Sequence, residues 1–353
     1  MRNLRAILII SLMILNYYVF VESGDLSTAP ALYLFGDSLL DGGNNNYLPT
    51  VARVNYPPYG THFPQGSTGR FTNGKTVGDF IAESLGLPYP PAYLGPRERG
   101  VLTGLNYASG ACGVFENTGK RLGLCLTLDD QVSLFNKTIE EELKGKFKTE
   151  KELSDYLANS LLVMYTGNND FLHYVRANYS KSAGIPKDHQ QFSDVLLHHF
   201  YNEFQKLYSL GARKMAIFEI GPLGCIPTVI KRYGTSEGCV EDINRMVTYF
   251  NGELEIMLSN LTSTLQDSSF VLNPAYSSVY DAIKNPTKYG LTDSTKPCCI
   301  TWGNMTSTCV PLLPPCHDYQ KHFFWDSLHP TEAANFLASK HFKKSTFSSL
   351  HLV

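Results

Sequence analysis

Short apolar runs of strand length recur along the chain at residues 31–35, 161–165, 214–220 and 270–272, with a weaker one at 105–108. Between them the apolar positions switch to a helical spacing, at residues 77–85, 128–143, 192–210 and 240–265, and again from about 331 to 341. Strand and helix therefore alternate. Successive strands lie parallel only if a crossover returns the chain to the same end, so the alternation predicts an α/β fold: a five-stranded, mostly parallel sheet with helices on both faces. Ligands gather at the carboxyl ends of such strands, which directs attention to the residues that follow each apolar run. No Pro-rich, Gly/Ser-rich or charged linker divides the chain and no internal repeat is present, so one domain is expected over residues 24–353. Residues 56–74, rich in Pro and Gly, read as a long surface loop, and residues 298–316 as a second one stapled by disulfides.

The N-terminus has a different character. Arg2 and Arg5 precede an apolar run over residues 6–20 broken only by Ser11 and Asn16, and small residues suited to cleavage follow. This predicts a signal peptide over residues 1–23, cut after Ser23, on a run shorter than the roughly 20 apolar residues a membrane span needs. Losing Arg2, Arg5 and Glu22 with it moves the formal net charge from −2 to −3, a balance that offers nothing to nucleic acid. Eight cysteines follow, an even number in a chain expected to be secreted and extracellular, which predicts disulfides. Their clustering suggests Cys112 with Cys125 and Cys225 with Cys239, while Cys298, Cys299, Cys309 and Cys316 pair among themselves. A zinc site made of those last four and His317 is the rival reading, disfavoured because adjacent cysteines lack the two-residue spacing of a zinc knuckle. Glycosylation sequons beginning at Asn136, Asn178, Asn260 and Asn304 fit passage through the secretory pathway.

Several predicted strand ends carry chemistry. The first runs into Gly36-Asp37-Ser38-Leu39 and then Gly42-Gly43-Asn44, residue types that allow a sharp turn and leave one hydroxyl, that of Ser38, above the sheet. By itself such a serine would as readily cap a helix. Near the other end Asp326 precedes His329 by three residues, ahead of Pro330 and Thr331, which open a helix. A serine nucleophile needs a general base, and the base needs a carboxylate to fix its tautomer; Ser38, His329 and Asp326 supply these roles. Acyl transfer also needs donors for an oxyanion. Thr166-Gly167-Asn168-Asn169-Asp170, read as a turn, offers the Asn169 amide, and Gly110 offers a bare backbone N–H. His189, His198 and His199 lack the His-Glu-x-x-His pattern of a zinc protease and read as surface or capping residues. Gly42-Gly43-Asn44 lacks the Lys and Ser/Thr of a phosphate loop, so no nucleotide, metal or other cofactor is expected.

Taken together, these stretches resemble the plant GDSL esterase/lipase family, a branch of the SGNH hydrolases, in order and spacing from about residue 31 to 341. Residues 35–46 are similar to its opening motif, 104–113 to its glycine block, 167–170 to its asparagine block and 326–330 to its Asp-x-x-His-Pro block. The resemblance implies a three-layer α/β/α sandwich of flavodoxin-like type. It further implies a Ser38, His329 and Asp326 triad with an oxyanion hole of Ser38 N–H, Gly110 N–H and Asn169. The implied activity is hydrolysis of small-molecule or lipid carboxylic esters through an acyl-enzyme, in the apoplast or cell wall. Two other outcomes stay open: an acyltransferase that hands the acyl group to another acceptor, and a catalytically silent binding protein on the same scaffold. Tyr56-Pro57-Pro58-Tyr59-Gly60 and residues 69–74 are also similar to stretches of this branch, with no role assigned. Phe63 and Phe71 are expected to be loop anchors rather than pocket wall. No amphipathic lid is evident near these blocks, so a fairly open site that prefers soluble or short-chain esters is expected.

Overall fold

The computed structural model describes residues 29–350 apart from 97–100, 235–237 and 303–306, together with Leu352. The expected signal peptide and the sequon at Asn304 lie outside the described residues. Strands β1 (Leu32–Gly36), β2 (Leu161–Tyr165), β3 (Lys214–Phe218) and β4 (Ser269–Asn273) form one parallel sheet in that order. The fifth expected strand is an extended segment on the far side of β1. Leu34 N–H donates to Leu105 O at 3.0 Å, and Tyr107 N–H returns to Leu34 O at 2.8 Å. Its outer neighbour is the loop containing Pro88, Pro90 and Pro91, which lacks the N–H groups to continue a ladder, so the segment never becomes a regular strand. A separate pair, β5 (Asp293–Pro297) and β6 (His322–Phe324), was not legible in the pattern.

Strand residues alternate between two buried faces. Leu32, Leu34, Leu161, Val163, Ala216 and Phe218 point to one cluster, and Tyr33, Phe35, Leu162, Met164, Met215 and Ile217 to the other. Helices α1 (Val77–Ser84) and α9 (Glu332–Thr346) cover the first face. Helices α2 (Leu128–Thr138), α5 (His189–Ser209) and α7 (Glu241–Thr264) cover the second, contributing the fully buried Phe135, Phe200, Phe204 and Phe250. Each of these rings is worth about 1.5–3 kcal/mol in burial. The α/β/α layering thus follows from the two-sided apolar strands.

Helices α3 (Glu150–Asn159), α4 (Asn168–Asn178), α6 (Pro227–Tyr233) and α8 (Ala275–Lys284) were not read from the periodicity. One of them corrects the reading of Asn168-Asn169-Asp170 as a turn: these residues are the first turn of α4. Gly167, at φ 96°, caps that helix and with Thr166 alone joins it to β2. The cysteines pair as Cys112–Cys125, Cys225–Cys239, Cys298–Cys316 and Cys299–Cys309, which uses up every thiol of the rival zinc set. No helix among the described residues is long and apolar enough to cross a membrane.

Candidate active site

Ser38 stands just beyond β1, held there by its neighbours. Gly36 has φ 154°, and a Cβ on it would lie 2.2 Å from the Tyr165 carbonyl oxygen, so only glycine lets the strand end this close to β2. Asp37 Oδ1 then accepts the Leu39 N–H at 3.0 Å, while the Leu40 and Asp41 N–H groups turn back to the Asp37 carbonyl. Ser38 lies inside this tight turn and caps no helix.

Asp326 and His329 come from the loop after β6, closed by a Trp325 N–H to His329 O hydrogen bond of 2.8 Å. Asp326 Oδ1 accepts the Leu328 and His329 N–H groups at 2.8 and 2.7 Å. Its Oδ2 lies 2.8 Å from His329 Nδ1, and His329 Nε2 lies 2.8 Å from Ser38 Oγ, across 291 residues of sequence. A carboxylate only accepts, so the imidazole proton sits on Nδ1 and Nε2 is left with a lone pair for the serine proton. All three side chains are buried.

A fourth group joins them. The Tyr59 hydroxyl is 2.5 Å from Asp326 Oδ2 and 3.0 Å from the Cys309 nitrogen. Because Cys309 N–H can only donate, it occupies the phenol oxygen, and the phenol proton goes to Asp326. Burial, reinforced by that carboxylate, holds the Tyr59 phenol well above its usual range. Its ring lies among Tyr56, Phe71 and Trp325, with centroids 5.6, 6.5 and 6.5 Å away. Tyr59 sits in the stretch left without a role, and no spacing rule links it to Asp326. Phe71 differs from expectation: its ring is 4.9 Å from the His329 ring and lines the groove beside Ser38, whereas Phe63 lies under the Arg70 guanidinium as a loop anchor.

The two remaining candidate donors behave differently. Asn169 spends one amide hydrogen on Cys112 O at 2.9 Å and keeps a second, and it lines the same spaces as Ser38. Gly110 has a single N–H, and the structure corrects its reading as a free donor: the group is given to Asp41 Oδ2 at 2.9 Å. Glycine is needed here because a Cβ would lie 2.5 Å from the Phe71 ring.

Asp41 is one of three buried aspartates that tie the motifs to one another, a function their sequence positions do not reveal. Its Oδ1 also accepts Gly43 and Asn44 N–H at 2.7 and 2.8 Å. Asp170 accepts Val114 N–H, Phe115 N–H and the Thr118 hydroxyl at 2.9, 3.0 and 2.7 Å, and Asp37 accepts from the Asn168 amide at 3.2 Å. Burial pushes Asp37 and Asp41 up to about 6 against the pull of these donors, and raises Asp170 as well.

Two spaces open on Ser38 and His329. One, of about 110 Å³, has apolar walls including Leu172, Leu223, Ile226, Phe323 and Leu328. The other, of about 250 Å³, is a groove of mixed lining bounded by Phe71, Ala111, Asn169 and three arginines. Another depression, about 1010 Å³ beside Cys112–Cys125, is lined by none of Ser38, Asp326 and His329. His198 and His199 are exposed on α5, away from either space.

A strand-end serine bonded to a histidine that an aspartate orients, on a parallel α/β sheet, is an arrangement of the serine-hydrolase type. The chain belongs to the GDSL-like lipase/acylhydrolase family, whose sequence profile matches residues 32–342. Arabidopsis thaliana GDSL esterase/lipase 7 is 42% identical to it over 326 residues, covering 90% of this chain and 88% of that protein. Two further Arabidopsis thaliana GDSL esterase/lipases are 41% identical over 317 residues (87% and 82% covered) and 38% identical over 320 residues (88% and 86% covered). Among solved structures, a phospholipase A1 from Streptomyces albidoflavus NA297 aligns over 90% of this chain and 99% of that one, at TM-score 0.41 and 10% identity, too distant to inform the site.

Proposed function

We propose that this protein is a secreted serine esterase that hydrolyses carboxylic esters through an acyl-enzyme on Ser38. Family membership supplies the coarser statement, a carboxylic ester hydrolase; the observation that carries the finer one is the unbroken line of hydrogen bonds from Ser38 Oγ through His329 to Asp326. In the first step His329 Nε2 takes the Ser38 proton as Oγ attacks the ester carbonyl, and the imidazolium returns that proton to the departing alcohol. In the second, His329 takes a proton from water, which attacks the acyl carbonyl; the acyl–Oγ bond then breaks, and the imidazolium returns the proton to Ser38 Oγ as the acid leaves. The Ser38 N–H and the second Asn169 hydrogen are the oxyanion donors. We retain Gly110 as a third, which has to exchange the Asp41 carboxylate for the oxyanion, one anionic acceptor for another. Four disulfides support an oxidising compartment and therefore secretion. The exposed side chains of Asn136, Asn178 and Asn260 suit glycosylation, and residues 24–353 are read as one domain.

The test is hydrolysis of p-nitrophenyl acetate by wild type and Ser38→Ala, with a serine-directed phosphonate located by peptide mass. Turnover abolished in a folded Ser38→Ala and a label on Ser38 are expected. An unchanged rate in the variant would refute the assignment.

A further inference from the structure

Arg121, Arg176 and Arg232 line the 250 Å³ groove into which Ser38 and His329 open. They arrive on separate elements: the short turn Lys120–Leu122, the last turn of α4 and the last turn of α6. Among the described residues none of the three forms an ion pair, and no Asp or Glu lines the groove. All three are solvent-exposed on the rim of the groove, and partial desolvation, and after it the charge of Arg176, pulls the Arg121 guanidinium below its usual range. A cation in the last turn of a helix is favourable, which accounts for Arg176 and Arg232 one at a time. It accounts neither for Arg121 nor for three cations meeting beside the nucleophile in a chain of net charge −2.

An ester has two arms, and Ser38 has two unlike spaces beside it. The smaller and apolar of the two spaces, about 110 Å³, takes a short acyl chain. The arm that leaves then lies in the groove with the arginines. We infer, on the esterase reading above, that the substrate joins a short acyl group to an alcohol that bears a carboxylate or phosphate, and that Arg121, Arg176 and Arg232 hold this anion. Because the anion stays in place throughout the reaction, the arginines bind ground state and transition state alike, and their effect falls on KM rather than kcat.

The experiment compares acetate esters of matched phenols: 4-acetoxyphenylacetate, 4-acetoxybenzylphosphonate and the neutral 4-acetoxyphenylacetamide. A methylene keeps the charge from altering the leaving group, and the readout is the ratio of kcat/KM, anionic over neutral, within each protein. A partial loss of active enzyme therefore cancels. At low ionic strength the wild-type ratio should be at least about tenfold, carried by KM, and should collapse toward one in 1 M salt, where the Debye length is about 3 Å. It should also collapse in Arg121→Gln/Arg176→Gln. Which anion gains more separates a phosphorylated alcohol from a hydroxy acid as the source. A wild-type ratio near one, or a ratio that persists in the double variant, overturns the inference while leaving the esterase intact. If none of the esters, the neutral one included, is cleaved and Ser38 takes no phosphonate, the esterase reading itself has failed, and the inference falls with it.

Discussion

Replacing Tyr59 with phenylalanine removes one oxygen from a fully buried position and leaves the ring against Tyr56, Phe71 and Trp325. Two hydrogen bonds disappear, to Asp326 Oδ2 at 2.5 Å and from Cys309 N–H at 3.0 Å. The first involves a charged acceptor, worth about 1.5–3 kcal/mol, and the second strands a buried donor at a cost of about 1–3 kcal/mol. Together these lower folding stability by about 2.5–6 kcal/mol. Catalysis feels less, because Asp326 keeps Leu328 N–H, His329 N–H and His329 Nδ1. A loosened carboxylate should lower kcat about 10- to 100-fold with KM unchanged, far short of the roughly 10⁴-fold typical when the triad carboxylate itself is replaced by its amide. The assay is stopped-flow hydrolysis of p-nitrophenyl acetate from pH 5 to 9, beside a urea melt. A folded variant with kcat within twofold of wild type would refute the positioning role.

Other outcomes follow from the same geometry. Asn169→Ala should lower kcat about 100- to 1000-fold with little change in KM, read by single-turnover acylation; a rise in KM alone would make Asn169 a ground-state contact. Acetate and butyrate esters should be cleaved faster than octanoate, since the apolar space of about 110 Å³ is filled early, and faster turnover of long-chain triglyceride emulsions would contradict this. Asp37 and Asp41, held at about 6, keep protons in the folded state at pH values where the unfolded chain, near 4, has lost them. Their contribution to stability therefore declines as pH rises from about 4 to 6, each carboxyl giving up on the order of 1.4 kcal/mol for every pH step of one within that window. Urea melts of wild type and Asp41→Asn across this window should show a flatter slope in the variant, and identical slopes would show that Asp41 does not titrate there.

The sheet was legible because its strands are apolar on both faces, which leaves runs such as residues 161–165 with no polar interruption. Helices as short as Pro227–Tyr233 complete too few turns for a period to stand out, and α4 was hidden by its polar first turn. The Ser38, His329 and Asp326 candidates could be read only from several stretches taken together, by their resemblance in order and spacing to a known family, since each stretch alone reads as readily as a cap or a turn. The remaining geometry could not. Nothing in the order of residues says that Tyr59 meets Asp326, 267 positions later, or that Asp41 claims the Gly110 N–H, since such contacts depend on how loops from different strands fold over one another.

Ser38 and His329 stand 291 residues apart, so a ribosome working at roughly 5–20 residues per second makes the nucleophile about 15–60 s before its base. Throughout that interval the serine has no proton acceptor of its own. On the proposed mechanism the nascent chain is thus harmless to the esters around it until His329 has been made and brought against Ser38.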